Sequence, residues 1–267
     1  NVSRDWIYVN VSVTEVNEKN ITFLLWNTTS LVNSSVYTDG RRIINWTGLV
    51  NGTYTYNVSV VDVANNRNTT STYKITLDTG LPFANLTTPL NNSYVNSSSQ
   101  NLSVNLTDNI GMVNATLYVW NATALVNSTT QSVSGTQNLL GIIYTFLYDG
   151  IFKWFYRVVD TAGNYFVTEN NTVTVDTTFP MISYLGADAD GANVSRNFIY
   201  VNVSVTEVDE ANITFVLWNT TDEINVTTFT DGRRSINFTG LSDGIYKFNV
   251  SVVDNAGNMN NTTIWTV

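Results

Sequence analysis

Along this chain, apolar residues alternate with polar ones over short stretches, and nowhere do they recur at the spacing of a helix. Ile7-Tyr8-Val9-Asn10-Val11-Ser12-Val13 and Tyr54-Thr55-Tyr56-Asn57-Val58-Ser59-Val60 are representative. Each sends one set of side chains to a core and places Asn10 or Asn57 on the outer face. Turn-forming clusters of Gly, Asn and Asp separate such stretches. In the last third of the chain the pattern predicts strands over Met181–Leu185, Phe198–Thr206, Asn212–Trp218, Asn225–Phe229, Arg234–Thr239, Gly244–Val253 and Asn261–Val267. Seven strands in about 90 residues predict an all-β chain whose unit is an antiparallel β-sandwich.

The unit repeats. Asn1–Thr29 and Asn193–Thr221 are identical at 24 of 29 positions, at an offset of 192 residues. A more distant copy lies between them, clearest where Val61-Asp62-Val63-Ala64-Asn65-Asn66 aligns with Val159-Asp160-Thr161-Ala162-Gly163-Asn164 and Val253-Asp254-Asn255-Ala256-Gly257-Asn258. Three units follow, over residues 1–78, 79–176 and 177–267, stacked as a linear array. The first unit has no counterpart of Thr177–Ala192. Either the stretch is part of a longer polypeptide, or a neighbour supplies the missing leading strand.

Composition changes the picture in two ways. The 267 residues contain no His and no Cys, which removes imidazole-based triads, thiol nucleophiles, disulfides and the usual zinc sites. A net charge of −9 argues against nucleic acid as a partner. Charged residues make up only 12 %, so something else must carry solubility. The chain has 38 Asn, and 60 Ser plus Thr, which would place about eight Asn in N-x-S/T triplets by chance; there are 27. They are Asn1, Asn10, Asn20, Asn27, Asn33, Asn45, Asn51, Asn57 and Asn68 in the first unit, and Asn85, Asn91, Asn96, Asn101, Asn105, Asn114, Asn121, Asn127 and Asn170 in the second. The third unit has Asn193, Asn202, Asn212, Asn219, Asn225, Asn237, Asn249, Asn260 and Asn261. The triplet is the acceptor signal for N-glycosylation, and several sit in mid-strand, where Asn is otherwise disfavoured. Covalent N-glycans on these residues are the expectation. Trp26, Trp120 and Trp218 each precede a triplet and are expected to pack in the cores.

Two features carry a family resemblance: Val252-Val253-Asp254-Asn255-Ala256-Gly257-Asn258, and a last strand closing on Val175-Asp176-Thr177-Thr178-Phe179-Pro180. Both resemble the tandem bacterial and archaeal Ig-like (fibronectin III-like) repeats of large cell-surface glycoproteins. The first unit departs from the pattern, with Asn65 in place of Gly. The resemblance implies three tandem Ig-like antiparallel sandwiches, an extracellular or cell-surface setting, most readily archaeal, and a non-enzymatic role. It also implies a tyrosine corner at Gly52/Tyr54 and Gly244/Tyr246, which Phe152 of the middle unit cannot form.

In such a sandwich the B–C and F–G loops lie beside the incoming linker. Asp78, Asp108 and Asp160 should then meet at the first junction, and Asp176, Glu207 and Asp254 at the second. No cofactor is required by the sequence, but three carboxylates at a hinge suit Ca²⁺. Capping of the F–G turn by Asp254-type residues is the competing structural reading. The Asp188–Gly191 loop is a weaker candidate, and the Arg41-Arg42 and Arg233-Arg234 pairs read as solvated turns.

The longest gap between triplets runs from Asn127 to Asn170 and contains the apolar segment Leu139–Tyr156. Alignment places Ile143 and Phe155 where the other units carry Asn45/Asn237 and Asn57/Asn249. Ile143, Tyr144, Phe146 and Phe155 are therefore expected to form an assembly interface, unless the segment Ser128–Asn138 folds over them. The charges within the segment rule it out as a membrane span. The sequence thus leads to a structural, heavily N-glycosylated part of a cell-surface filament, stalk or surface layer, partnered by other copies of itself. An adhesin stalk or binding module that recognises other cell surfaces is the alternative.

Overall fold

The computed structural model describes residues 1–267, all strand, turn and loop. Alternation dictates the layers. In Gly150–Asp160, Phe152, Trp154, Tyr156 and Val158 are all buried, and the residues between them face outward. Three separate hydrophobic cores result: one from Ile7 to Leu77, one from Ala84 to Val175 and one from Ile199 to Val250.

Each core is enclosed by two antiparallel sheets. In the second unit, Phe83–Thr88, Ser99–Thr107 and Gln137–Thr145 form one layer. The other layer is built on Met112–Trp120 and Gly150–Asp160, flanked by Leu125–Ser132 and Asn171–Val175. One contact breaks the antiparallel rule: Ser93–Val95 runs parallel to Val173–Val175. Val2 makes the matching parallel bridge to Leu77 in the first unit. The third unit pairs Met181–Tyr184 and Ser235–Thr239 with Phe198–Thr206. The first unit has only Ile7–Asn10 and Ile43–Trp46 in that layer.

The strands of the third unit fall close to their expected places, except that the one expected from Gly244 starts at Lys247 and another is divided. The stretch expected as a single strand, Asn261–Val267, is two short pieces, Met259–Asn261 and Trp265–Thr266. Between them Thr262 turns inward, and its hydroxyl donates to the Tyr184 hydroxyl and accepts from the Val250 N–H. The departure at Asn65 is conformationally silent: Asn65, Gly163 and Gly257 occupy the same F–G turn at φ of 68°, 92° and 87°. Asn tolerates the left-handed region far better than other side chains do.

The three tryptophans that precede acceptor triplets are not core residues. Each follows a buried residue, Leu25, Val119 or Leu217, so alternation places it on the outer face, and Trp120 is 39 % exposed. The buried tryptophans are Trp46 and Trp154. The arginine pairs are likewise more than solvated turns. Arg42 forks onto Glu18 at 2.7 and 3.1 Å, and Arg234 lies 2.8 Å from Glu210. Arg41 and Arg233 lie over the rings of Tyr37 and Phe229.

The tyrosine corners form in the outer units. Tyr54 donates to the Val50 carbonyl and Tyr246 to the Ser242 carbonyl, each at 2.9 Å. Tyr54→Phe removes that bond while keeping the ring, so a loss of about 1 kcal/mol in a denaturant melt is expected. An unchanged midpoint would show that the hydroxyl contributes nothing.

Candidate metal centres at the domain junctions

The two acidic triads expected at the hinges are assembled. Asp78, Asp108 and Asp160 each place a carboxylate oxygen within 4.8 Å of the others, and so do Asp176, Glu207 and Asp254. Asp78 and Asp176 arrive on the linkers, Asp108 and Glu207 on the B–C loops, and Asp160 and Asp254 at the start of the F–G turns. At the outer end of the first unit, Glu15 and Asp62 occupy the corresponding B–C and F–G positions.

Local bonding explains why the carboxylates converge. Asp160 Oδ1 accepts the N–H groups of Ala162 and Asn164, and its Oδ2 accepts the Asn164 side-chain amide at 2.6 Å. Asp254 and Asn258 repeat the arrangement. Turn capping and clustering therefore coexist: the F–G acids do both. Asn164 Nδ2 also reaches the Asp78 carbonyl at 2.9 Å, and Asn258 Nδ2 reaches that of Asp176 at 2.8 Å. Asp108 Oδ1 caps its own loop through the N–H groups of Ile110 and Gly111, as Glu207 Oε1 does through Val208 and Asp209. Residues of the first unit's leading edge add to the first junction: Asn1 donates to Thr161 and Ser3 to Asn164.

What remains unbonded is informative. Asp78 is 0 % exposed, and its Oδ2 has no hydrogen-bond partner; nor has the buried Oδ2 of Asp108. A buried carboxylate oxygen without a donor is costly, and two facing the same cluster invite a cation. No lysine or arginine forms an ion pair with either triad. Burial, followed by the charges of Asp108 and Asp160, pushes the Asp78 carboxyl above its ordinary value, despite bonds from Asn109 and Gly80. Burial, followed by the charges of Asp254, Glu207 and Asp149, does the same to Asp176. The oxygens on hand are of the hard type that Ca²⁺ selects, and water or main-chain carbonyls complete its usual six to eight.

Other expected sites fare differently. The Asp188–Gly191 loop is not a metal candidate: Asp188 is paired with Arg196 and accepts the Tyr200 N–H, and Asp190 accepts the Thr266 N–H. The expected assembly interface also fails as a single surface. Phe146 is 2 % exposed and belongs to the core, where it packs on Phe152, with Tyr144 half-buried against it. Ile143 is 74 % exposed, but it lies on the opposite sheet from Phe155, which stacks outward on Tyr118 at 4.9 Å. Nor is Ile143 remote from acceptor triplets. Its cross-strand partner is Asn101, that of Leu139 is Asn105, and the Asn101 side chain lies over Gly141 between them. A gap in sequence is thus filled across the sheet. Of the segment 128–138, residues 128–132 belong to the edge strand Leu125–Ser132, Val133 turns into the core and residues 137–138 open Gln137–Thr145, so it does not fold over the face.

None of the 27 triplet asparagines is buried; 16 are exposed and 11 half-buried. Most Nδ2 atoms, the site of attachment, make no intramolecular bond. Asn27, Asn121 and Asn219 use only Oδ1 to cap their turns, where it accepts the hydroxyl of the triplet Thr, although Asn121 Nδ2 also meets the Tyr148 hydroxyl. Asn202 and Asn260 are different: their Nδ2 groups donate to the carbonyls of Leu185 and Pro180 at 2.6 and 2.9 Å. No helix is long and apolar enough to cross a membrane.

Residues 208–266 match the family model described as bacterial Ig-like domain. No curated protein matches the chain. Similar solved structures include the fibronectin(III)-like modules of Clostridium thermocellum CbhA, at 12 % identity and a TM-score of 0.41, covering 69 % of this chain and 92 % of that one. The FN1–FN3 domains of chicken CNTN1 align at 10 % identity and a TM-score of 0.42, over 100 % and 95 % of the two chains. A tetra-tandem repeat from the extending region of a large adhesion protein aligns at 17 % identity and a TM-score of 0.37, over 100 % and 70 %.

The junction chemistry has a defined pH signature in cation-free protein. Asp78 and Asp176 titrate above 3.8, so they favour the folded state when neutral, and that contribution is lost as pH rises through their raised values. Asp62, bonded by Asn66, and Asp149, where bonds from Thr177 and Thr178 outweigh burial, titrate below 3.8. Their contribution is lost as pH falls through those lowered values. In chelator, the melting temperature is expected to rise as pH drops from neutral toward the raised values, and to fall again below 3.8. A profile that only declines on acidification would show that the triads are not strained. Asp78→Asn is expected to stabilise the cation-free protein and to abolish any stabilisation by added Ca²⁺.

Proposed function

We propose that the chain is a non-catalytic, N-glycosylated structural segment of an extracellular filament, stalk or surface layer, with Ca²⁺ locking its domain junctions and further copies of itself as partners. The single observation that carries this reading is that none of the 27 acceptor asparagines is buried and 16 are exposed. A strand that exposes Asn at every unit gains little stability from it, since Asn is a poor strand former. Carbohydrate on those faces replaces the missing charge as the source of solubility and shields the backbone from proteases. It also covers the outer sheet faces, including the apolar pair Leu139 and Ile143 beneath Asn101 and Asn105.

Short linkers suit a load-bearing role. Asp78 connects Leu77, in the core of one unit, to Pro82 and Ala84, already buried in the next. The four residues between Leu77 and Pro82 leave little slack, and a dication held jointly by linker, B–C and F–G acids would remove the remaining hinge freedom. The cation's part is mechanical: it neutralises the three carboxylates that otherwise repel one another. An extracellular setting supplies both the glycosylation and the millimolar Ca²⁺ that exposed modular sites use.

Intact-mass analysis of native protein is the direct test. A mass well above 29.7 kDa that returns to that value on deglycosylation is expected. Site mapping should find Asn45, Asn105 and Asn237 occupied, and Asn202 and Asn260, whose amides hold main-chain carbonyls, sparsely occupied. Native protein at its bare polypeptide mass would end this reading.

A further inference from the structure

The two junctions share a plan but not an enclosure. At an offset of 98 residues, the linker Asp78-Thr79-Gly80-Leu81-Pro82 becomes Asp176-Thr177-Thr178-Phe179-Pro180. With Asp108 set on Glu207, the next loop residue changes from Asn109 to Val208. Those two exchanges, Gly to Thr and Asn to Val, separate the sites. At the first junction Asn109 Nδ2 donates to Asp78 Oδ1 at 3.0 Å. The same amide lies so close over Gly80 that a Cβ there would collide with Asn109 Oδ1. Glycine is needed here for close approach, and the B–C loop is thereby shut down onto the linker. At the second junction Thr178 stands at the glycine position and turns its hydroxyl to Asp149 Oδ2 at 2.9 Å, while Val208 is 96 % exposed.

Burial of the acids follows the same division. Asp78 and Asp160 are buried and Asp108 is half-buried, and the Oδ2 atoms of Asp78 and Asp108 are both enclosed without a donor. Of the second triad only Asp254 is buried. Asp176 and Glu207 are half-buried and border an open cleft shared with Tyr94, Ile151 and Phe179. Water reaches such oxygens, screens their mutual repulsion and must be displaced before a cation can bind. Charge count does not set the order. The second junction has a fourth carboxylate close by, Asp149, which caps Thr177, whereas the neutral Asn51 caps Thr79 at the first. What favours the first site is burial and rigidity, and rigidity is one of the factors that tune a Ca²⁺ site.

We propose that the first junction is the tight cation site, filled and locked at calcium concentrations that leave the second empty, so that the hinge between the second and third units is the one that responds to calcium. The proposal rests on the reading that these triads take Ca²⁺, and adds an order of filling and its cause. Enclosed carboxylate oxygens without donors gain most from a dication, because nothing else relieves them. A cradle already closed by Asn109 also needs no ordering when the ion arrives.

Calcium titrated into the full chain after chelation tests this, with the NMR lines of the Gly163 and Gly257 amides reporting the two F–G turns in one sample. The Gly163 line is expected to reach its end point at a calcium concentration at least about tenfold below that of Gly257. Transitions that coincide, or Gly257 moving first, would overturn the order of filling and leave the calcium reading standing. If neither line moved, the calcium reading itself would fall, and the proposal with it. Gly80→Ala tests the cause, since it keeps every carboxylate and forces Asn109 off the linker. It is expected to move the Gly163 transition to at least about tenfold higher calcium and to leave the Gly257 transition in place. Asn109→Ala adds no atom and is expected to act in the same direction, so a folding defect in one variant leaves the other to decide. A Gly163 transition unmoved in a folded variant would reject closure by Asn109 as the source of the difference.

Discussion

At each junction one side-chain amide serves two masters. Asn164 donates to the main-chain oxygen of the linker residue Asp78 and to the carboxylate of Asp160, and Asn258 does the same for Asp176 and Asp254. That pair of bonds brings the linker acid against the F–G turn and fixes where the next unit begins. The acidic triads follow from it, because the linker carboxylate is carried into a site that two loop carboxylates already occupy. The conflict so created, like charges out of water, accompanies a short and well-ordered hinge, and a dication held there would resolve it.

The outer faces obey a different economy. A soluble β-protein usually shows charged side chains on its outward positions. Here those positions hold Thr, Ser and Asn, paired across strands by hydroxyl contacts such as Thr116–Thr130 and Thr214–Thr228, each at 2.8 Å. Such faces are nearly neutral and flat, which makes bare edges and bare sheets prone to self-pairing. Bulky substituents on the asparagines would suppress that pairing, on the faces and on the edge strands that carry Asn33, Asn127 and Asn225.

Much of this organisation can be read from the residues themselves. Alternation reports the strands because a two-residue period survives any packing arrangement. The triads are legible because the repeats align their acids and loops of this topology share one end of the sandwich. What could not be read depends on partners distant in sequence. The outward setting of Trp26, Trp120 and Trp218, by contrast, is legible in the same alternation, since each follows a core residue, Leu25, Val119 or Leu217. The apolar segment after Asn138 looked free of acceptor sites because its covering asparagines, Asn101 and Asn105, come from the adjacent strand. The break at Thr262 recurs at Thr70 and Thr168, so it belongs to the unit's own fold: in each the hydroxyl accepts an N–H from the adjacent strand, at Val250, Val58 and Tyr156. Val11–Thr14 carries a strand's sequence yet lacks a strand's bonding.

The parallel pairing of Ser93–Val95 with Val173–Val175 has a mechanical consequence. These segments lie near opposite ends of the same unit's chain path and point the same way. Tension applied along the row pulls them past each other lengthwise, so their bonds must yield together in shear. An antiparallel hairpin pulled at its open end would instead unzip one bond at a time. The parallel pair would therefore give the middle module resistance to stretching along its length.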